Sequence, residues 1–426
     1  NVRGYSYGVG AHVLGYIGEV NQRQVDAYEY YERGDYIGVS GIELSYEEQL
    51  RGRRGIRYIL KDNLGRTQGS FQNGERDERA ISGKDLMTSI DLSLQIYGEQ
   101  LLQNKRGSVV AIEPATGEIL SMISSPGYNP NLLTINRDRG EAYARLEQDS
   151  TKPLFNRALG AQYPPGSIFK PVMSLIALQE KVITPDKSVG CGGGYVYKGL
   201  RVGCHGHPSA TSVSKGIQHS CNAYFCQVFR EVIDKNGFSK ADKGLDTLVM
   251  HLDAFGLGRK LGVDLPNELT GNVPTSAYYD KLYRKGAWKS PTIISLGIGQ
   301  GELLVTPLQM ANFTAIIANH GYYYTPHIAK QFRGDTTQIP LKYRVKRKTL
   351  VAPRHFIPVV NGMEDVVLAG TARVAQIEGI QVCGKTGTAE NPHGDDHSVF
   401  VAFAPKNNPK IAIAVFVENS YLGRRF

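Results

Sequence analysis

The sequence contains no apolar run that approaches the ~18 residues of a membrane-spanning helix. It shows no signal peptide and begins at Asn1 without a Met, so we expect an excised soluble part of a longer protein. Cysteine is scarce, and its count of five is odd, so a framework made only of disulfides would leave one thiol unpaired. The length of 426 residues predicts two or three domains.

The formal net charge of +9 is compatible with an anionic partner, but charge governs solubility and encounter rather than fold. The densest basic stretch, KYRVKRK at 342–348, alternates charged with apolar or aromatic residues, which is typical of an exposed strand or hairpin. No nucleic-acid-binding motif accompanies it, and we therefore expect no nucleic acid partner.

The chain changes texture near Asp85. Residues 1–84 are rich in Tyr, Gly and charge, with AHVLGYIGEV (11–20) predicted as a short strand or turn, and they favour a β-rich accessory domain. Beyond it, a helical pattern follows the capping residue Asp91, and two apolar runs around PATGE (107–124) predict a hairpin. Helical segments dominate from about 210 to 320 before strand patterns return at the end. Residues 85–426 therefore favour one α+β domain whose antiparallel sheet is closed by strands from both ends.

The first chemical signal is YPPGSIFKP, in which Ser167 and Lys170 are three residues apart. On a helix, positions i and i+3 share a face, so the hydroxyl and the amine can approach each other. Pro171 is tolerated only near a helix start, which places Ser167 at the positive end of the helix dipole. A serine is a nucleophile when a neighbouring base takes its proton, and a lysine can do so if burial lowers its pKa. A capped surface helix is the alternative for this motif alone.

Two further polar signals follow along the chain. Ser220 and Asn222 lie two residues apart at the start of an apolar run, a weak signal alone. GKTGTAE places Lys385 and Gly387 on one face of a strand, where the missing side chain of Gly387 would let a ligand lie against the backbone. A generic glycine-rich hairpin is the alternative for the third motif. The order Ser-x-x-Lys, Ser-x-Asn, Lys-Thr-Gly is far more specific than any one member.

With these three motifs in order, the chain resembles the class B penicillin-binding proteins, and among them the elongation-type transpeptidases. The stretches YIGEVNQ and GVSGIELSYEEQLRG resemble the family's N-terminal pedestal domain, and GIELSYEEQLRG is similar to members from Bacteroidetes. The stretches RGSVVAIEPATGEILSMISSPGYNPN, SLGIGQGELLVTPLQMANFTAIIANHG and CGKTGTAENPHGDDHSVFVAFAP resemble its transpeptidase domain. The resemblance implies the penicillin-recognising transpeptidase fold, an antiparallel sheet flanked by helices plus an all-α subdomain.

The resemblance also implies a role for each motif residue. Ser167 would attack the penultimate D-Ala carbonyl of a peptidoglycan stem peptide and release the terminal D-Ala, with Lys170 as general base. Ser220 would relay protons toward the leaving group, and Asn222 would orient Lys170 and the bound peptide amide.

The third motif would complete this site. Lys385 and Thr386 would organise the proton network, while Gly387 and Thr388 would bind substrate, Thr388 through the terminal carboxylate. The backbone N–H groups of Thr388 and Ser167 would form the oxyanion hole. An amine from a neighbouring stem peptide would then resolve the acyl-enzyme, and β-lactam antibiotics would acylate the same serine.

The resemblance further implies a membrane glycosyltransferase partner of the elongation machinery and a location on the periplasmic face of the inner membrane, where family members carry a single-pass anchor. Two other functions remain open at this stage. A serine β-lactamase shares the three motifs but needs a base for deacylation, and no Glu-x-x-Leu-Asn motif occurs in 223–384. A non-catalytic β-lactam-sensing domain would be acylated without turnover.

A cysteine-rich stretch separates the first two motifs. Cys191 is followed after twelve residues by Cys204, after two more by His207, and after thirteen more by Cys221. Three thiols and one imidazole make a closed structural Zn²⁺ set. If Ser220 and Asn222 face the active site, Cys221 must point away from it, so we expect a structural zinc ion behind the Ser-x-Asn motif, with no cofactor needed for catalysis.

The spacing leaves alternatives open. His205 or His219 could replace His207 as the nitrogen ligand. Cys191 and Cys204 could instead form a disulfide, with Cys221 as a small buried hydrophobe. The remaining cysteines, Cys226 and Cys383, are predicted to be core residues.

Overall fold

The computed structural model describes residues 3–334, 339–391 and 394–420, so residues 392–393 of the stretch CGKTGTAENPHGDDHSVFVAFAP lie outside it. Its centre is a five-stranded antiparallel sheet formed by the two ends of residues 107–417. The strand order runs from the three C-terminal strands to the N-terminal hairpin, as the closing of the sheet by both termini predicted. The bounds are β6 Gly107–Ile112, β7 Ile119–Ser125, β13 Cys383–Ala389, β14 His397–Ala404 and β15 Ile411–Val417.

The N-terminal part contains short elements of both kinds. AHVL, predicted as strand or turn, forms a helix, while the strand that follows at Ile17–Glu19 and the hairpin of β3 and β4 match the sequence pattern. The bounds are α1 Ala11–Leu14, β1 Ile17–Glu19, α2 Gln22–Ala27, β2 Tyr36–Gly38, α3 Gly41–Ser45, α4 Glu47–Leu50, β3 Ile59–Lys61, β4 Thr67–Ser70 and β5 Leu86–Thr88.

The remaining α-helices of the described ranges lie between β5 and β13. Asp91 caps the first of them by accepting the Leu94 N–H at 2.9 Å, as its position predicted. The bounds are α5 Leu92–Leu101, α6 Arg139–Gln148, α7 Arg157–Gly160, α8 Lys170–Gln179, α9 Val213–Gln218, α10 Asn222–Ile233, α11 Ala241–Ala254, α12 Ser276–Tyr283, α13 Pro307–Ala318 and α14 Phe356–Ala369.

Five small strands complete the description. β8 and β9 form a hairpin in the cysteine-rich stretch, and β11 pairs with β5, which joins the sequence-distant residues 86–88 and 329–332. Of the basic stretch 342–348, only its last residues before Thr349 form a strand, which pairs with β10. The bounds are β8 Gly194–Tyr197, β9 Leu200–Gly203, β10 Tyr322–Tyr323, β11 Ala329–Phe332 and β12 Arg347–Lys348.

The buried core lies on the inner face of the central sheet. Every residue of α13 is buried, including the polar residues Gln309, Asn312 and Thr314, and the helix packs against β6, β14 and β15. α8 packs against α10 and α14. This arrangement fixes the start of α8 beside the edge strand β13. None of the helices in the described ranges is long and apolar enough to cross a lipid bilayer.

Candidate active site and adjoining cysteine cluster

Ser167 lies in a single 3₁₀ turn, Gly166–Phe169, which leads directly into α8. Gly166 has φ of +58°, and a Cβ there would lie 2.3 Å from the carbonyl oxygen of Thr388. Only glycine fits both the left-handed backbone and this close approach. The turn that carries the candidate nucleophile is therefore pressed against β13, the strand of the Lys-Thr-Gly motif.

Lys170, the first residue of α8, is fully buried and its amine faces the Ser-x-Asn motif. Its Nζ donates to the Asn222 Oδ1 at 2.6 Å, to the Ser220 carbonyl at 2.7 Å and to the Ser220 Oγ at 3.2 Å. Within the described ranges it makes no hydrogen bond to Ser167 Oγ. Catalytic hydrogen bonds are often long before substrate binds, so the amine of Lys170 remains a candidate base. The hydrogen bonds to Ser220 and Asn222 fix its position.

The Ser-x-Asn motif turns sharply between α9 and α10. Ser220 has φ of +50°, an uncommon conformation for a residue with a side chain, and Asn222 begins α10. Between them, Cys221 is the N-cap of α10, and its Sγ accepts the Tyr224 N–H at 3.3 Å. The motif thus divides by direction: Ser220 and Asn222 contact Lys170, whereas Cys221 is buried on the other side.

Lys385 joins the same network from β13. Its Nζ donates to Ser220 Oγ at 3.0 Å and to the Thr386 carbonyl at 2.8 Å, so two buried amines share one serine hydroxyl. Thr386 Oγ1 lies 2.6 Å from Thr371 Oγ1, a partner that the sequence motifs did not reveal.

Glycine at position 387 also meets a packing requirement. Gly387 lines the candidate active-site cavity, and a Cβ there would lie 2.7 Å from Val399 Cγ1 and 3.1 Å from the Ile168 backbone nitrogen. The missing side chain therefore makes room for Val399 and for the turn that carries Ser167, while the residue still borders the cavity.

Burial dominates the electrostatics of both lysines. Desolvation lowers the pKa of Lys170 to about 8, against a smaller opposing effect of the nearby cysteine sulfurs. Desolvation, and then the positive charge of Lys170, lower the pKa of Lys385 well below its ordinary value. A neutral amine near neutral pH is what a base for a serine hydroxyl requires.

These groups meet at a cavity of about 210 Å³. The predicted residues Ser167, Ser220, Asn222, Thr386, Gly387 and Thr388 all line it. Gln300 also lines it and donates from Nε2 to the Thr388 carbonyl at 3.0 Å, which holds β13 at the mouth of the site. The lining residues that the motifs missed are His205, Ile298, Gln300, Thr371, Glu390 and Asp396.

The four predicted metal ligands are close together. The sulfur atoms of Cys191, Cys204 and Cys221 and a ring nitrogen of His207 all lie within 4.8 Å of one another. The His207 Nδ1 lies 2.7 Å from the Pro208 carbonyl, and Nε2 lies 3.8 Å from Cys191 Sγ. Because Nδ1 must donate to that carbonyl, Nε2 carries the lone pair and faces the three sulfurs.

Cys204 connects the cluster to the candidate active site. Its Sγ accepts the backbone N–H groups of Asn222 at 3.1 Å and Ala223 at 3.3 Å. The hydrogen bond with Cys221 holds the pKa of Cys204 well below its ordinary value and raises that of Cys221. These opposite shifts belong to one hydrogen-bonded pair of sulfurs, which titrates as a unit.

The alternatives for this region can be compared with the coordinates. All five cysteines are free thiols. Among the described residues, His205 and His219 do not join the four-residue set; His205 lines the catalytic cavity and His219 stacks on His207. The cysteines predicted to be core residues, Cys226 and Cys383, are both fully buried.

The site combines a serine at a helix start, a buried lysine behind it, a Ser-x-Asn turn and an edge strand carrying Lys-Thr-Gly. This combination defines the class of penicillin-recognising serine acyltransferases and hydrolases. Family models agree with this class. The penicillin binding protein transpeptidase domain matches residues 107–425, and the penicillin-binding protein dimerisation domain matches residues 1–88. The chain belongs to the penicillin-binding protein transpeptidase family.

Individual relatives show which members of this family the chain is similar to. The peptidoglycan D,D-transpeptidase MrdA of Haemophilus influenzae is 33% identical over 98% of this chain and 66% of its own length. MrdA of Acinetobacter baumannii is 32% identical over 97% of this chain and 62% of its own length. The chain thus spans slightly less than two thirds of these relatives.

Solved structures show the same fold. Pseudomonas aeruginosa PBP2 in complex with WCK 5153 superposes with a TM-score of 0.83 at 34% identity, covering 100% of this chain and 87% of that one. Helicobacter pylori PBP2 in its complex with MreC also gives a TM-score of 0.83, at 28% identity, covering 99% of this chain and 77% of that one.

Proposed function

We propose that this chain is a serine D-Ala-D-Ala transpeptidase that crosslinks peptidoglycan stem peptides during cell elongation. The observation that carries the proposal is the meeting of the three motifs at one cavity, with Lys170 held by both members of the Ser-x-Asn pair. The curated relatives named as peptidoglycan D,D-transpeptidases support the same activity.

In this proposal Ser167 is acylated first. Neutral Lys170 takes the proton of Ser167, whose Oγ attacks the penultimate D-Ala carbonyl. The C–N bond to the terminal D-Ala then breaks, and Ser220 relays the proton to the departing amine. Ser220 suits this relay because its hydroxyl lies within 3.2 Å of Lys170 Nζ and 3.0 Å of Lys385 Nζ.

The transition-state charge would be stabilised by backbone N–H groups. We assign the oxyanion hole to the N–H groups of Ser167 and Thr388, since both residues line the cavity and the Gly166 turn packs closely against β13. Thr388 would also bind the substrate carboxylate, and Thr386 would support Lys385. An amine of a second stem peptide then attacks the ester, forms the crosslink and returns the proton to Ser167.

Acylation by penicillin tests the nucleophile and the class together. Intact-mass spectrometry of the chain after incubation with benzylpenicillin should show one covalent adduct that persists for hours, and Ser167→Ala should show none. Ser239→Ala, an exposed serine far from the motifs, is the matched control and should be acylated normally. Rapid turnover of a chromogenic cephalosporin would instead identify a β-lactamase.

Transpeptidation itself separates the enzyme from a sensor. Supplied with a polymerised lipid-linked peptidoglycan precursor, the chain should form crosslinked peptides and release D-Ala. Stable acylation without any crosslinking under conditions in which a known transpeptidase works would favour the sensing domain.

We also propose that Cys191, Cys204, His207 and Cys221 hold a structural zinc ion. The donors fit such an ion because three sulfurs and a lone pair fixed by the Pro208 carbonyl converge within the reach of tetrahedral coordination. Bound zinc would supply a crosslink between the glycine-rich loop and the Ser-x-Asn turn. Catalysis in this proposal needs no cofactor.

Metal analysis tests the zinc proposal directly. The purified chain should contain close to one zinc ion per molecule, and Cys191→Ser or His207→Ala should lose it. Retention of zinc by both variants, or a mapped Cys191–Cys204 disulfide in metal-free protein, would refute the site.

The partners and setting that the family resemblance implies are equally part of the proposal. β-Lactams would acylate Ser167, and a membrane glycosyltransferase would supply the glycan strands on the periplasmic face of the inner membrane. Residues 1–84 would form the pedestal and residues 85–426 the catalytic domain. Co-purification with such a glycosyltransferase from membranes, lost on deletion of residues 1–84, would test both.

A further inference from the structure

A cavity much larger than the catalytic one lies in the N-terminal half of the molecule. It measures about 920 Å³ and opens where residues 50–54 face residues 80–88. It shares no lining residue with the cavity around Ser167. The proposed acyl transfer therefore makes no use of it.

The charge of this cleft is strongly one-sided. Six cationic side chains and two carboxylates line it. Both carboxylates are already paired, Glu43 with Arg3 at 2.7 Å and Asp85 with Arg333 at 3.8 Å. Positive charge is therefore in excess, and the cleft would attract an anionic ligand.

Two arginines of the floor are held in place by aromatic rings rather than by carboxylates of the lining. The Arg51 guanidinium lies 3.8 Å from the centre of the Tyr30 ring and donates to the Tyr31 hydroxyl at 3.1 Å. Arg54 lies 4.9 Å from the same ring and pairs with Asp35, outside the cleft. Fixed guanidinium groups bind a carboxylate with little further loss of side-chain entropy.

Arg53 differs from Arg51 and Arg54. It is exposed, it lines the cleft, and its side chain makes no hydrogen bond or ion pair within the described ranges. A cation without a partner beside two fixed guanidinium groups would gain one when an acidic group binds.

The surface between the cations is apolar. Ile81 and Met87 line the cleft with 59% and 46% of their surface exposed, and Leu50 and Leu86 lie beside them. Phosphate-rich polymers offer nothing to bury these side chains, whereas a polypeptide with acidic and aliphatic residues covers both kinds of surface. We propose that this cleft binds an acidic, partly aliphatic segment of a partner protein.

Fluorescence anisotropy tests this inference on the full 426-residue chain. The probe is a short fluorescein-labelled peptide in which glutamate alternates with leucine. The same peptide with glutamine for glutamate, the same peptide with serine for leucine, and inorganic polyphosphate serve as competitors. We expect saturable binding that weakens with added salt. Unlabelled probe should displace the labelled peptide more effectively than any of the three competitors.

Charge reversal locates the binding. The double variant Arg53→Glu/Arg333→Glu should weaken binding at least about tenfold, because it opposes acidic groups with acidic groups. Arg145→Glu is the matched control: Arg145 has a side chain 71% exposed, compared with 80% for Arg333, and lies on α6 away from the cleft. Its binding should be unchanged, and benzylpenicillin should acylate all variants alike, which also shows that they are folded.

Three results would overturn the inference: no saturable binding of the probe, equal loss in Arg145→Glu and the double variant, or displacement by polyphosphate as effective as by the probe. The last result would identify a polyanion site. Penicillin acylation in the same samples reports on the proposed function separately, so failure of one idea is distinguishable from failure of the other.

Discussion

The sulfur of Cys204 lies 3.1 Å from the backbone nitrogen of Asn222, whose side-chain oxygen in turn holds the amine of Lys170 at 2.6 Å. One residue therefore faces a cysteine cluster through its backbone and the candidate base through its side chain. The Asn222 Nδ2 also donates to the Gly203 carbonyl at 2.7 Å, which ties it to the same loop. The position of the candidate base thus depends on the order of a loop that lies outside the three motifs.

Loss of a cluster sulfur should consequently affect both stability and acylation. Cys221→Ala removes one proposed metal ligand and the N-cap of α10, so we expect the free energy of unfolding to fall by about 2 kcal/mol or more. Acylation of Ser167 should slow by about tenfold, as for other losses of support behind a reacting group. Thermal unfolding and stopped-flow acylation with a fluorescent penicillin measure the two effects.

Cys226→Ala is the control for that variant. It removes a fully buried sulfur outside the cluster and should cost about 1 kcal/mol of packing while the zinc content stays unchanged. If Cys221→Ala acylates at the wild-type rate, the cluster does not position the Ser-x-Asn motif.

The lowered pKa of Lys170 predicts the pH dependence of acylation. In the proposed mechanism the neutral amine is the base, so the rate should rise with pH and level off above about 8, rather than above the ordinary lysine pKa of 10.5. The folded chain binds fewer protons at Lys170 than the unfolded chain between these values, so this group's contribution to stability also rises with pH across that window. Acylation rates measured from pH 6 to 10 provide the test.

Lys170→Arg sharpens the pH experiment. A guanidinium keeps the positive charge but does not lose its proton, so acylation should fall by about a thousandfold or more at every pH. A wild-type profile with its midpoint near 10.5, or substantial activity in this variant, would exclude Lys170 as the base.

Thr371 is expected to influence the site although it belongs to none of the three motifs. Its hydroxyl lies 2.6 Å from that of Thr386 at the cavity wall. Thr371→Val keeps the shape and removes this hydrogen bond, so acylation should slow by about three- to tenfold, corresponding to about 1 kcal/mol. Thr371→Ser retains the hydroxyl and should acylate nearly normally; equal rates in both variants would show that the contact is dispensable.

Local sequence patterns predicted the helices, strands and caps whose formation depends on neighbouring residues. The apolar runs around PATGE form β6 and β7, Asp91 caps α5, and Ser167 precedes α8 because Pro171 confines the helix start. The spacing of the cysteine set also predicted residues that the fold brings together, since turns in a glycine-rich loop keep such ligands near one another.

The rest of the site depends on contacts between distant segments. Gln300 and Thr371 approach β13 from loops with no motif of their own, and no periodicity relates them to it. His207 was the predicted ligand, but spacing did not exclude His205 or His219. The side-chain positions separate the cavity-lining His205 from His207, which joins the three sulfurs. The close packing of Gly387 against Val399 and Ile168 was not predictable either, because a sequence does not reveal which side of a strand a neighbouring turn approaches.

The contact between the two halves of the chain provides the last prediction. The Tyr46 hydroxyl donates to Asp264 Oδ2 at 2.7 Å in a fully buried position, and the same carboxylate accepts the backbone N–H groups of Ile328 and Ala329. Tyr46→Phe removes one donor from a buried carboxylate and should lower the free energy of unfolding by about 1–2 kcal/mol. The exposed Tyr36→Phe should leave the free energy of unfolding unchanged.

Because Tyr46 lies far from Ser167 in the sequence and outside its cavity, penicillin acylation at low temperature should be normal in both variants. If Tyr46→Phe melts at the wild-type temperature, this bond does not hold the halves together.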